Sequence, residues 1–273
     1  MFQIIAFVLS TIATVAVALL VPTNKVWFSL LAFVAAYVAC FLLFWLVTIL
    51  LALFVNKKKE HVKYNAFYHN FLAFMIEYVC SFVRVKTIVS GAEKIPKDCR
   101  FLLVANHVSN FDPLLTYAAL RKYRLAYISK TSNFRIPVAG ALMYKNGFLA
   151  LNRTDPREGM KTIVNAQKRI ESGEYSIAVY PEGTLKKTQE LLLTFKSGSF
   201  KIAQRADVPV VIACTKNTQK IHKNFPWRKT VVSLEILDVI QPQNFANTQE
   251  MAEYAQQKIA ACLTQPEGTA ARR

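Results

Sequence analysis

The sequence predicts an α/β domain with a mostly parallel sheet flanked by helices, preceded by an N-terminal membrane-embedded helical hairpin. Three observations support this prediction. Two long uncharged runs lie within the first 55 residues, apolar segments of strand length recur from residue 85 onward, and helical patterns lie between several of them. We therefore expect a two-helix membrane anchor at 1–60, an α/β domain at 61–265 without repeats or further breaks, and a flexible tail at 266–273.

The first two elements are apolar helices. Phe2 to Val21 and Val26 to Val55 contain no charged residue, and a helix of about 20 apolar residues can cross a bilayer. Met1-Phe2-Gln3 lacks the basic start of a signal peptide, and a second apolar run follows at once, so we do not expect a cleaved leader. Two other arrangements are open: a buried hairpin of a soluble protein, and a hairpin lying partly in one leaflet.

Basic residues predict the orientation of this anchor. Lys57-Lys58-Lys59 follows the second run, whereas the loop between the runs carries only Lys25. The positive-inside rule therefore places the α/β domain on the cytoplasmic face of the membrane. The five cysteines are odd in number and form no CxxC pair, which predicts neither a disulfide framework nor a zinc site.

The formal net charge of +17 lies almost entirely after residue 55, because residues 1–55 contain one Lys and no acid. Such an excess of positive charge could bind nucleic acid, anionic lipid headgroups or a phosphorylated substrate. We expect no nucleic acid, since the chain is membrane-anchored and contains no recognised nucleic-acid motif. Anionic membrane lipids are the expected partner.

The remaining elements follow from apolar periodicity. Tyr64 to Val85 predicts an aromatic-rich amphipathic helix that packs on the domain, lies on the bilayer, or does both. Helices are also predicted at Pro156 to Ser172, at Phe195 to Ala206 and at Thr248 to Leu263. Strands are predicted at Val85 to Val89, Phe101 to Ala105, Leu125 to Ser129, Gly147 to Leu151, Ser176 to Tyr180, Val208 to Ala213 and Val231 to Leu237.

His107 and Asp112 are the candidate catalytic residues. They lie five positions apart in Asn-His-Val-Ser-Asn-Phe-Asp, directly after the predicted strand that ends at Ala105. Asp112 is expected to cap the helix that begins with Pro113. A turn that folds back would let the carboxylate orient the imidazole, as a general base at neutral pH requires. The alternative is a packed or surface histidine followed by a simple helix cap.

A second motif, Pro181-Glu182-Gly183-Thr184, follows the predicted strand Ser176 to Tyr180. Gly183 permits a close backbone approach and would expose an N–H group to an anion or a developing oxyanion. Glu182 could hold a nearby loop or hydrogen-bond a substrate hydroxyl. The same tetrapeptide recurs at 266–269 without a preceding strand, and that copy is attributed to chance.

In order and context, these motifs resemble those of the glycerophospholipid acyltransferase family, specifically the 1-acyl-sn-glycerol-3-phosphate acyltransferases. The resemblance covers roughly residues 85–215 and includes Lys130 and the Phe195–Gly198 segment, which contains Lys196. Its four blocks are His107 to Asp112, Gly147 to Arg153, Tyr180 to Thr184 and Val208 to Ile212.

The resemblance implies transfer of a fatty acyl group to the sn-2 hydroxyl of lysophosphatidic acid. The co-substrate would be acyl-CoA or acyl-carrier protein, and no cofactor or metal is expected. His107 would take the proton from the attacking hydroxyl while Asp112 holds its tautomer. Glu182, Gly183 and Thr184 would line the substrate site, and the oxyanion would meet backbone N–H groups near Gly183.

One departure concerns the phosphate of the acceptor. The family usually has Arg directly after the EGT of the third block, whereas this chain has Leu185 followed by Lys186. Lys186 could bind phosphate as a point charge, and Arg153, Lys130 and Lys196 are the other candidates. The alternatives are a solvated loop lysine at 186 and a different lysophospholipid acceptor.

Two other functional classes compete with an acyltransferase. A lipid hydrolase could also use His and Asp, but it needs a nucleophile elbow, and no G-x-S-x-G occurs in the chain. A catalytically idle scaffold is disfavoured by the intact His107, Asp112 and Glu182. Acceptor-dependent acyl transfer by the purified protein distinguishes these classes.

Overall fold

The fold was analysed in a computed structural model of the 273-residue chain. The structure describes residues 2–20, 26–57, 59–152, 154–185 and 190–265. Two candidate phosphate ligands, Arg153 and Lys186, and the predicted tail 266–273 lie outside the described residues.

Two apolar helices open the chain, α1 (Phe2–Leu20) and α2 (Val26–Leu53), as the charge-free runs predicted. They pack on each other, with the rings of Phe7 and Phe33 in edge contact at 5.4 Å. Trp27–Leu53 is long and apolar enough to cross a membrane, whereas Ile5–Leu19 is shorter. Many large apolar side chains of α2 are exposed, which disagrees with the core hairpin of a soluble protein and indicates membrane association.

The third helix, α3 (Ala66–Phe82), connects this pair to the domain. Its buried side includes Leu72 and Ile76, which join the domain core. Its other side meets α2, where the Phe44 ring contacts Phe74 and Tyr78 at 6.0 and 5.7 Å. The predicted amphipathic helix therefore packs on the domain.

A seven-stranded sheet forms the centre of the domain, in the order β1-β7-β6-β2-β5-β3-β4. Every neighbouring pair is parallel except β6 and β7. The predicted mostly parallel α/β fold is thus confirmed. The strands are β1 (Val85–Ser90), β2 (Leu102–Ala105), β3 (Leu125–Lys130), β4 (Leu149–Leu151), β5 (Ser176–Val179), β6 (Val210–Lys216) and β7 (Thr230–Ile240).

One predicted helix differs from the structure. Residues predicted as a helix from Phe195 form a 3₁₀ turn at Ser197–Phe200, and the α-helix is shorter. The backbone before the turn is bonded elsewhere: Phe195 N donates to Gln256 Oε1 at 2.9 Å and Lys196 N donates to Pro181 O at 3.0 Å. The helices around the sheet are α4 (Asp112–Ala119), α5 (Ala139–Lys145), α6 (Pro156–Glu171), α7 (Lys201–Ala206), α8 (Ile221–Asn224) and α9 (Thr248–Thr264).

The central strands are buried on both faces. Leu102 and Val104 of β2 belong to one core cluster, and Leu103 and Ala105 belong to the cluster on the opposite face, as the alternation of a strand requires. Because β2, β5 and β6 are parallel to one another, their carboxyl ends meet at one edge of the sheet. The loops that begin at this edge carry the two sequence motifs.

Candidate active site

His107 and Asp112 lie in hydrogen-bond contact at the carboxyl edge of the sheet. His107 follows β2, Asp112 is the first residue of α4, and His107 Nδ1 is 3.0 Å from Asp112 Oδ2. The Asp112 side chain is fully buried, whereas the His107 side chain is 15% exposed. The turn that the motif predicted therefore brings the two groups together, and a bond at Nδ1 leaves Nε2 to meet a substrate.

Asp112 does not cap α4, contrary to the expectation from sequence. Phe111 occupies the cap position without a side-chain bond, and the Asp112 carboxylate instead turns back into the preceding loop. Its Oδ2 accepts hydrogen bonds from Val108 N and Ser109 N, each at 2.7 Å. Pro113, the second residue of α4, has no backbone N–H to be capped, and the carboxylate bonds the loop that positions His107.

Glu182 joins the two motifs through backbone hydrogen bonds. Its Oε1 accepts from His107 N at 2.6 Å and its Oε2 accepts from Leu193 N at 3.1 Å. The side chain is buried, and burial raises the pKa of its carboxyl while the two N–H donors oppose that rise. Both oxygens are thus occupied, which favours the loop-holding role of Glu182 over a hydrogen bond to a substrate hydroxyl.

The N–H group of Gly183 is bonded within its own turn, so the expectation that this N–H is exposed to an anion was wrong. Gly183 N donates to Tyr180 O at 2.9 Å and closes a turn, in which Gly183 has a φ of +71°. The missing side chain has a different consequence. A Cβ at this position would lie 3.1 Å from Lys196 Nζ, so the glycine lets the Lys196 side chain lie against the turn.

Two buried polar residues support the motif and were not identified from sequence. Asn106 Oδ1 accepts from Thr215 N at 2.8 Å, and Asn106 Nδ2 donates to Thr215 O at 2.9 Å. Thr215 Oγ1 also lies 3.4 Å from Asp112 Oδ1. The sequence signal that could have identified them is a polar residue at the end of an apolar strand, because the carboxyl ends of parallel strands lie at the same edge of the sheet.

The remaining candidate substrate-binding residues lie along the same edge. Lys130 is exposed and ends β3, which neighbours β5. Thr184 is exposed and directly follows Gly183. Among the described candidates for phosphate binding, Lys196 is thus the cation that the structure brings to the second motif.

Comparisons with known proteins point to one enzyme family. The acyltransferase family model matches residues 86–216, a range that contains both motifs. A chloroplastic 1-acyl-sn-glycerol-3-phosphate acyltransferase of Brassica napus is 33% identical over 160 residues, 58% of this chain and 45% of that protein. The 1-acyl-sn-glycerol-3-phosphate acyltransferase of Haemophilus influenzae is 30% identical over 168 residues, 59% of this chain and 69% of that protein. The chain therefore spans less than half of the Brassica relative.

A solved structure shows the same fold. The 1-acyl-sn-glycerophosphate acyltransferase PlsC from Thermotoga maritima is 19% identical, with a TM-score of 0.63. The match covers 98% of this chain and 100% of that one, so it includes the apolar N-terminal helices as well as the sheet.

Proposed function

The chain belongs to the 1-acyl-sn-glycerol-3-phosphate acyltransferase family, and we propose that it transfers a fatty acyl group from a thioester to lysophosphatidic acid. The product would be phosphatidic acid. The observation that carries the proposal is the contact between His107 Nδ1 and the buried Asp112 carboxylate, 3.0 Å apart. The printed names of the relatives support lysophosphatidic acid as the acceptor.

His107 acts as the general base in this proposal. With Nδ1 bonded to Asp112, its Nε2 accepts the proton of the acceptor's sn-2 hydroxyl as the hydroxyl oxygen attacks the thioester carbonyl. The carbon–sulfur bond then breaks, and the leaving thiolate takes the proton from His107 Nε2 and departs as a thiol. The lone pair of Nε2 is available because the carboxylate stabilises the tautomer that carries its proton on Nδ1.

Glu182 is a positioning residue, since it fixes the backbone N–H of His107 rather than the substrate. Lys196 is the proposed phosphate ligand because its ammonium lies against Gly183 in the loop next to His107. An ammonium binds phosphate as a point charge, without the bidentate geometry of Arg. Lys130 and Thr184 are the further substrate-binding candidates at this edge, and Arg153 and Lys186 remain candidates from sequence.

A hydrolase is the less favoured alternative. The serine within the first motif, Ser109, is buried, and its Oγ accepts a hydrogen bond from Phe111 N at 3.2 Å. This hydroxyl therefore supports the loop rather than attacking a carbonyl. The acyl donor is proposed at the level of a thioester, with acyl-CoA and acyl-carrier protein as the two forms to compare.

The proposed location is the cytoplasmic face of a membrane, with α1 and α2 as the anchor and anionic lipids as neighbours. The support is Lys57-Lys58-Lys59, which follows the second apolar run in the sequence, together with the single Lys25 between the two runs. A single engineered cysteine in place of Thr269, with the native cysteines replaced, should resist an impermeant thiol reagent on intact cells. Labelling there would contradict the orientation.

The decisive experiment supplies the purified full-length protein with lysophosphatidic acid and either acyl-CoA or acyl-carrier protein. We expect acceptor-dependent acyl transfer with one of the donors. His107→Ala should lower kcat by about 10²- to 10⁴-fold, the usual contribution of a general base, with little change in melting temperature. Thioester hydrolysis without acceptor would favour the hydrolase, and substantial activity of His107→Ala would contradict the assignment of the base.

A further inference from the structure

The connection between β6 and β7, residues 217–229, exposes aromatic side chains at the active-site edge. Trp227 is 83% exposed and Phe225 is 36% exposed. Phe82, at the end of α3, contacts the Phe225 ring at 5.6 Å and is itself 57% exposed. We call these three residues the aromatic patch. Because β6 is parallel to β2, this connection leaves the sheet at the edge from which the His107 loop leaves.

The backbone beneath the patch is held in place by defined contacts. Arg84 Nη1 donates to Pro226 O and Trp227 O, each at 3.2 Å. Ile221 is buried in a cluster with Leu115 of α4. The exposed rings are therefore presented by a fixed loop. A fixed cluster of exposed aromatic rings indicates an interaction surface.

Exposed basic side chains lie next to the patch residues along the chain. Lys223, Arg228 and Lys229 belong to the same connection and are exposed. The ring of His222 contacts Phe111, the neighbour of Asp112, at 5.4 Å. Tryptophan prefers the interface between bilayer and water, phenylalanine is common on faces that insert at this interface, and exposed Lys and Arg favour anionic headgroups. This combination fits an anionic lipid surface.

The apolar helix α2 extends toward the same side. Phe44 of α2 contacts Phe74 and Tyr78, whereas Leu51 O accepts a hydrogen bond from Tyr68 Oη at 3.2 Å. The two helices are therefore antiparallel, and the beginning of α2 lies toward the end of α3 that carries Phe82. The exposed apolar surface of α2 and the aromatic patch thus lie on one side of the domain.

We propose that the aromatic patch, with Lys223, Arg228 and Lys229, docks on the anionic headgroup surface of the membrane. This second contact, separate from the helical anchor, would hold the edge with His107 against the bilayer that contains the acceptor. The inference rests on the proposed function only in that the acceptor is a membrane lipid.

Tryptophan fluorescence tests this contact directly. The chain contains three tryptophans, so a Trp27→Phe/Trp45→Phe variant of the full chain reports on Trp227 alone. The variant is reconstituted in vesicles of phosphatidylglycerol and phosphatidylcholine whose acyl chains carry bromine near the headgroup. A matched control adds Trp227→Phe and Lys122→Trp, which moves the single tryptophan to the exposed opposite edge of the sheet, before β3.

We expect a shift of Trp227 emission to shorter wavelength and a loss of its intensity on brominated lipid, with the control at position 122 unquenched. Unquenched Trp227, or equal quenching at both positions, would overturn the docking proposal. These readouts do not depend on catalysis, so absence of acyl transfer would remove the proposed function and leave the docking result interpretable.

A kinetic measurement gives an independent test. Arg228→Ala should raise the KM for lysophosphatidic acid presented in phosphatidylglycerol vesicles by up to about fivefold, the weight of one basic residue at an anionic surface. With the acceptor in neutral detergent micelles, the KM should stay unchanged. Equal effects in vesicles and micelles would place Arg228 at the substrate site and overturn its role in docking.

Discussion

The aromatic ring of Tyr180 lies nearly parallel to the imidazole of His107, with ring centroids 4.4 Å apart and 21° between the planes. Tyr180 directly follows β5, and His107 is the second residue of the loop after β2. The imidazole is thus held across one face by Tyr180 and at Nδ1 by Asp112. The Tyr180 hydroxyl is buried near Thr116 without a hydrogen bond of normal geometry, and burial raises its pKa well above the usual value.

The stacking ring and the hydroxyl of Tyr180 should have separable effects. Tyr180→Phe keeps the ring, so activity should be nearly unchanged. Its melting temperature should rise, because a buried hydroxyl without a partner costs about 1–3 kcal/mol. Tyr180→Leu removes the stacking and should lower kcat by about ten- to a hundredfold, since small misplacements of catalytic groups cost about that much. Measured kcat and melting temperature of both variants check this.

If Tyr180→Phe loses activity as fully as Tyr180→Leu does, the hydroxyl rather than the ring is required. An unchanged KM for the acyl donor in both variants would show that the ring positions His107 and does not bind the donor.

Asp112→Asn should lower both activity and stability. The carboxylate Oδ2 accepts hydrogen bonds from Val108 N and Ser109 N and contacts His107, and an amide oxygen in its place is a neutral, weaker acceptor. A hydrogen bond to a charged group is worth about 1.5–3 kcal/mol, against about 0.5–1.5 kcal/mol for a bond between neutral groups. Thermal unfolding and kcat measure the two effects. Unchanged stability together with lost activity would indicate a purely chemical role for the carboxylate.

Binding of the acceptor's phosphate group should depend on Lys196. Lys196→Ala should lower kcat/KM for lysophosphatidic acid by about ten- to a hundredfold, since a hydrogen bond to a charged group is worth about 1.5–3 kcal/mol. The KM for the acyl donor should change little. Steady-state kinetics with each substrate varied in turn distinguish the two effects.

Lys130→Ala and Lys186→Ala are the matched comparisons, and Leu185→Arg restores the residue usual in the family. Leu185→Arg should be tolerated if the phosphate binds next to Gly183. If Lys196→Ala leaves kcat/KM for lysophosphatidic acid unchanged while one of the other lysine variants lowers it strongly, that lysine binds the phosphate. If all three lysine variants and Arg153→Ala are neutral, the acceptor carries a different headgroup.

The folded protein should lose stability in mild acid through His69. This histidine is buried, its Nδ1 lies 2.7 Å from Tyr117 Oη and its Nε2 lies 2.8 Å from Arg121 O. Burial lowers its pKa below 6.5, and the nearby Arg124 and Arg121 guanidinium groups lower it further. The unfolded chain therefore binds this proton more readily, so the stabilising contribution is present above pH 6.5 and is lost as the pH falls through the lowered pKa.

Melting temperatures of the wild type and of His69→Gln, measured from about pH 7.5 to 5.5, test this dependence. The wild type should lose stability more steeply than the variant across that interval. His61→Gln, which removes a histidine outside this network, is the control. Parallel curves for the wild type and His69→Gln would exclude His69 as the source.

The amino-acid sequence alone determined the order of the seven strands and of the long helices, and it identified His107 and Asp112 as the candidate catalytic pair. The strands and the charge-free helices could be predicted because the periodicity of apolar residues and the local composition indicate secondary structure directly. The spacing of His107 and Asp112 was also local, since both lie in one strand-to-helix turn, and five residues suffice to fold back.

Only the tertiary structure decided how the neighbouring loops are joined. Glu182 reaches the backbone of His107 across 75 positions of sequence, and Tyr180 stacks on His107 from the end of another strand. The N–H of Gly183 is bonded to Tyr180 O, and Asp112 bonds the preceding loop rather than capping its helix. Which donor meets which acceptor depends on strand order and on loop packing. Residue spacing along one chain does not contain that information, because parallel strands bring distant residues to a common edge.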